Sequence, residues 1–194
     1  MTDHRKHPNP TDPDFDDSYG ALLDEAKSTT DTSRIREIYA EWNQDPGVIH
    51  FLGYNPATPD DLLITMIQDG HGRAILGRPD TPEKALQVMG VNTDAVQRAW
   101  AAERTEDPDL LTQLCYDPVS NVRLSVLWNP TVRPSMILKV LDQVTSESDL
   151  HVVLEQTEGK RSFDVSSQIL RHPLVTEEMR TRIAIETRGI YQHA

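Results

Sequence analysis

Gly53-Tyr54-Asn55-Pro56-Ala57-Thr58-Pro59-Asp60-Asp61-Leu62-Leu63 decides the fold, because a worn copy of it returns at Gly77-Arg78-Pro79-Asp80-Thr81-Pro82-Glu83-Lys84-Ala85-Leu86. Fainter copies lie at residues 101–111, at Trp128-Asn129-Pro130-Thr131-Val132-Arg133-Pro134, and at His172-Pro173-Leu174-Val175-Thr176-Glu177-Glu178. In the first copy Pro56 bars Asn55 from the helical region and removes a backbone donor, so the preceding helix stops there. Thr58 is expected to cap a new helix with Pro59 at its first position. Asp60 and Asp61 then suit the positive end of that helix. Leu62, Leu63, Met66 and Ile67 share one apolar helical face, and Gly70 ends the run. A shorter helix bearing Ile75 and Leu76 follows before Pro79 breaks it.

Superposing the copies produces columns: Leu63, Leu86, Leu111; Met66, Met89, Leu114; Asp69, Asn92, Asp117; and Arg73, Arg98, Arg123, the last at steps of 25 residues. A unit this short cannot bury its apolar face alone, so neighbours must stack into a continuous core. The predicted fold is all-α, a helical solenoid of about five or six short helix-pair units.

These residues resemble the leucine-rich repeat variant family, a bacterial relative of the armadillo and HEAT-like repeats. The resemblance is carried by Asn55-Pro56-Ala57-Thr58-Pro59, Leu62-Leu63, Asp117, Val122-Arg123 and Asn129-Pro130, and covers residues 50–142 well and 160–188 poorly. It implies alternating helices in a right-handed curved superhelix of the kind used as a binding surface, and it constrains fold far more than function. One type of member carries a Cys-ligated iron–sulfur cluster; Cys115 alone cannot build one.

Length fits one domain or one repeat array with a tail. The single Cys excludes an internal disulfide and fits a reducing compartment. No apolar run approaches membrane-spanning length and the N-terminus lacks a signal-peptide core, so a cytoplasmic protein with no membrane partner is expected. The net charge is −12, with residues 1–70 carrying −9 and 106–160 carrying −5. A general nucleic-acid binder shows a basic face, so this balance argues against direct nucleic-acid binding.

Along the chain, residues 1–17 read as a disordered acidic tail. Its Thr2-Asp3-His4 could hold Cu(II) or Ni(II) in a square plane were the initiator Met removed, a tripeptide common by chance. Residues 18–45 read as two amphipathic capping helices, the second capped by Ser33. Residues 46–194 read as the solenoid, with an insertion or a degenerate repeat at 142–161, and Arg180, Arg182 and Arg188 closing its last helix.

Two residue sets are candidate binding positions. Stacked in register, Arg73, Arg98 and Arg123 would suit carboxylates or phosphates; alternatively each pairs with a nearby acid such as Asp69, Asp94 or Asp117. Tyr54, Trp100 and Trp128 lie at or near helix ends, as partner anchors or as plugs between repeats. Cys115 shares the inward column of Ile67 and reads as an inert buried thiol. No catalytic constellation, metal-ligand spacing, phosphate loop or cofactor motif is legible.

The expected function is therefore a non-enzymatic scaffold that binds another protein. Two alternatives stay open: an acidic nucleic-acid mimic that antagonises a DNA-binding protein, and, by analogy with helical-repeat DNA glycosylases, a repeat-fold enzyme acting on nucleic acid.

Overall fold

The computed structural model describes residues 17–191, with side chains from 18 to 186, and these residues are helical without a strand. Twelve α-helices follow in order: α1 (Asp17–Ser28), α2 (Thr32–Trp42), α3 (Pro46–Tyr54), α4 (Asp60–Met66), α5 (Glu83–Gly90), α6 (Ala95–Arg104), α7 (Pro108–Leu114), α8 (Ser120–Ser125), α9 (Pro134–Leu141), α10 (Glu147–Gln156), α11 (Phe163–Arg171) and α12 (Glu177–Tyr191). None is long and apolar enough to cross a membrane. The acidic tail, with its Thr2-Asp3-His4 end, lies outside the described residues except for Asp17, which opens α1; the side chain of Arg188 lies outside them too. Contacts divide the chain into two compact units, residues 1–88 and 89–194, the division falling inside α5.

In the first unit α2 is capped by Asp31, whose carboxylate accepts from the Ser33 and Arg34 N–H groups. Ser33, the expected cap, is instead the second residue of the helix, because Asp31 sits one step further back with the extended backbone that capping needs. Asp45 caps α3 ahead of Pro46 and also accepts from the Tyr19 hydroxyl at 2.9 Å. Gly53 lets α3 lie directly on the short 3-10 turn Gly72–Ile75; a Cβ there would stand 2.4 Å from the Ala74 carbonyl. Thr58 departs from its expected role. Its hydroxyl donates to the Leu52 carbonyl at 2.6 Å, satisfying the C-terminal end of α3, and α4 begins without a side-chain cap, favoured electrostatically by Asp60 and Asp61. A single π-turn, Ile67–His71, follows α4, and Gly70 within it takes a positive φ of 93°.

The core of the second unit gathers residues from α6 through α12. Ala102, Leu111, Val122, Ile137, Val153 and Ile169 exemplify it. Residues 142–161 hold a regular helix, α10, whose Leu150, Val153 and Leu154 join that core, followed by a turn in which Gly159 has a positive φ. Met179 and Ile183 of α12 face inward as expected. All six residues of the two apolar columns, from Leu63 to Leu114, are buried.

The Asn-Pro turns share one contact pattern. Asn55 is buried; its Nδ2 donates to the Ala26 and Thr29 carbonyls at the end of α1, both at 2.9 Å, while its Oδ1 accepts from the Ala57 N–H. Asn129 does the same in the second unit, donating to Ala102 and Thr105 at the end of α6 and accepting from the Thr131 N–H. Each asparagine thus fastens a turn to orphan carbonyls of a helix end more than twenty residues earlier.

Candidate functional site

Arg98 and Arg123, two of the three arginines of the column, are committed to backbone carbonyls. Arg98 grips Asp117 in a two-pronged pair, Nε to Oδ2 at 2.7 Å and Nη2 to Oδ1 at 3.0 Å, and its Nη1 donates to the Asn92 and Thr93 carbonyls. Arg123 repeats the second half of this pattern at the same sequence offsets, Nη1 donating to the Asp117 and Pro118 carbonyls, and Nη2 reaches the Gln143 carbonyl. The turn before each short helix leaves carbonyls without helical partners, and a guanidinium fork reaching back from that helix meets two of them. Arg73 is exposed and belongs to the first unit.

Asp117 also accepts from the Val119 N–H at 2.9 Å. Burial alone would raise its pKa, but the Arg98 bonds, that N–H and the charges of Arg98 and Arg123 outweigh burial and hold it below the usual carboxylate range. A depressed native pKa contributes stability that is complete above the unfolded value, about 4, and is lost as the pH falls through the lower native one. Asp117→Asn is therefore expected to lose about 1–2 kcal/mol at pH 7, a difference that shrinks at pH 3; urea unfolding at the two pH values checks it.

The aromatic candidates separate. Tyr54, in the first unit, donates its hydroxyl to the Leu76 carbonyl and packs its ring against His50 with centroids 5.0 Å apart, so it fastens α3 to the end of the 3-10 turn Gly72–Ile75. Trp100 and Trp128, in the second unit, line one groove of about 350 Å³ with Val96, Ala99 and Glu103 of α6 and Asn121 and Ser125 of α8. Small side chains on α6 (Ala99, Ala101, Ala102) allow α8 to pack alongside it. Trp128 ends the 3-10 turn Val126–Trp128; the buried Asn129 fixes the chain immediately after it, and its indole is 46% exposed. Trp100 is half-buried, and the Arg104 guanidinium lies over its ring, 3.2 Å from the centroid. Glu103 pairs with Arg104, Oε2 to Nη1 at 2.9 Å, and its Oε1 accepts from the Ser125 hydroxyl at 3.3 Å. The Trp100 N–H is enclosed without an acceptor.

Val96, Ala99, Glu103, Asn121 and Ser125 are the groove residues that sequence reading misses. The available signal was Trp100, Glu103 and Arg104 at helical spacings of three and four on α6. Cys115, the sole thiol, is buried as expected; burial pushes it up to about 11, and its Sγ donates to the Leu111 carbonyl. Among the described residues no group of three or more His, Cys, Asp or Glu is placed to hold a metal ion. Comparison with family models, with curated proteins and with solved structures finds no match to this chain.

Proposed function

We propose that the chain is a non-enzymatic interaction module of the cytoplasm, a solenoid of about five or six leucine-rich-variant helical repeats that binds another protein. The observation that carries this reading is the convergence of Trp100 and Trp128 on one groove, since Trp side chains dominate interface hot spots. It is supported by the recurring Asn-Pro fastenings, which make the turns rigid scaffolding. It is supported further by Arg98, Arg123 and Asp117, whose polar groups are engaged in holding the fold. The net charge of −12 favours a nucleic-acid mimic as the second reading, although Asp31, Asp45, Asp94 and Asp107 are engaged as helix caps.

Affinity capture with the tagged full chain, wild type against Trp128→Ala, tests the module. Trp128→Ala is expected to keep the circular dichroism and melting temperature within about 2 °C, as suits an exposed side chain, and to lose the captured partner. Undiminished capture by Trp128→Ala overturns the groove as the interface, and capture only of DNA-binding proteins, abolished at moderate salt through groove-independent contacts, selects the mimic.

A further inference from the structure

We infer that the Trp100–Trp128 groove receives an arginine side chain from a basic segment of the partner protein, with Glu103 as its counter-ion. This rests on the interaction-module reading and adds the chemistry of the partner. Indole faces attract cations, and a planar guanidinium both stacks on a ring and forks onto a carboxylate. The chain demonstrates that chemistry at this place, since Arg104 stacks on Trp100 and pairs with Glu103. Trp128, exposed on the same groove, offers a second ring for a guanidinium arriving from outside.

Charge and size select the same class of ligand. Glu103 is the sole charged side chain among the groove-lining residues, and a carboxylate has about four lone-pair sites. Beyond the Arg104 and Ser125 bonds, it therefore retains room to accept. A phosphate or an acidic peptide would meet this carboxylate with like charge, and a purely apolar helix would bury it away from water. The volume, about 350 Å³, lies at the low end of ligand pockets, which run from about 300 to 1,000 Å³. That is the scale of one or two side chains of a docked segment. The net charge of −12 attracts a basic segment before contact.

The three tryptophans allow a direct reading, because Trp42 of the first unit serves as an internal control. The full chain carrying ¹⁵N-labelled tryptophan is titrated with the blocked peptide Gly-Arg-Gly-Arg-Gly, its citrulline counterpart, and its Glu counterpart. The indole N–H signals of Trp100 and Trp128 are expected to move saturably with the arginine peptide while that of Trp42 stays. The citrulline peptide, isosteric but neutral, is expected to bind about tenfold more weakly, and the Glu peptide not at all. Glu103→Gln should weaken the arginine peptide by about fivefold. Arg104→Ala should strengthen it by uncovering the Trp100 ring. Equal shifts from the arginine and citrulline peptides, or no shift of Trp100 and Trp128, overturn the inference without any variant having to fold. If partner capture depends on Trp128 while the arginine peptide fails, the arginine inference falls and the module stands. If the peptide binds with arginine specificity while Trp128→Ala captures partner normally, the cation site stands and the module's interface lies elsewhere.

Discussion

Asn129→Ala is expected to destabilise the second unit by about 2–4 kcal/mol, a loss out of proportion to the few atoms removed. The side chain is fully buried, its amide donating at 2.8 and 2.9 Å to the carbonyls of Ala102 and Thr105, both also fully buried. Its Oδ1 accepts from the N–H and the hydroxyl of Thr131 at 2.8 and 2.7 Å. Each bond is worth only about 0.5–1.5 kcal/mol net, but a buried acceptor that loses its donor costs about 1–3 kcal/mol, and alanine withdraws the amide from two. No water of the bulk reaches these carbonyls to replace the amide. Asn129→Asp at pH 7 is expected to be at least as damaging, since it sets a carboxylate against the same two oxygens. Two compact units need not unfold together, so the measurement is urea unfolding followed through the indole signals of Trp100 and Trp128, with Trp42 reporting the first unit. A loss below about 1 kcal/mol would show that the helix end, and not the amide, holds the turn.

How much of this was legible depends on the range of the signal. The apolar columns were read correctly because helical period is local, and Leu63, Met66, Leu111 and Leu114 could be placed inward from their neighbours alone. The breaks at Asn55-Pro56 and Asn129-Pro130 were legible for the same reason. What an asparagine does after breaking a helix was not. The carbonyls it meets lie between 24 and 29 residues upstream, and a sequence shows no geometry at that distance. Thr58 failed as a cap because a competing acceptor, the Leu52 carbonyl, is brought to it by tertiary packing. Asp94 is nearest to Arg98 in sequence among the candidate acids, yet Asp94 caps α6 with its carboxylate and the guanidinium crosses to Asp117, 19 residues on. The groove was half legible. Position near helix ends marks Trp100 and Trp128 as partner anchors or plugs, and the structure places both on one surface, while nothing in the sequence beyond its spacing from Trp100 singles out Glu103.

The second large effect is expected at Arg78, which occupies in the second copy of the motif the place that Asn55 holds in the first. It is 3% exposed, and its guanidinium hooks back onto the preceding turn, Nη1 donating to the Gly53 and Asn55 carbonyls at 3.2 and 2.6 Å and Nη2 to the Pro56 carbonyl at 3.2 Å. The first unit therefore carries a chain of fastenings in which Asn55 holds the end of α1 and Arg78 holds the backbone of Asn55. Arg78→Leu fills the space but takes the guanidinium from all three carbonyls, leaving that of Asn55 only the Thr58 N–H at 3.0 Å, and is expected to lose about 3 kcal/mol. Arg78→Lys should recover less than half of that, because one ammonium cannot reach three carbonyls in the plane of a fork. The remaining partner, Asp80, accepts from Nη2 at 3.2 Å but is 58% exposed, so Asp80→Ala should cost under about 1 kcal/mol. The four proteins compared by urea unfolding, read at Trp42, separate the two explanations. A large effect at Arg78 with a small one at Asp80 assigns the stability to carbonyl fastening, whereas comparable losses at both would make the ion pair the reason an arginine stands where the motif has asparagine.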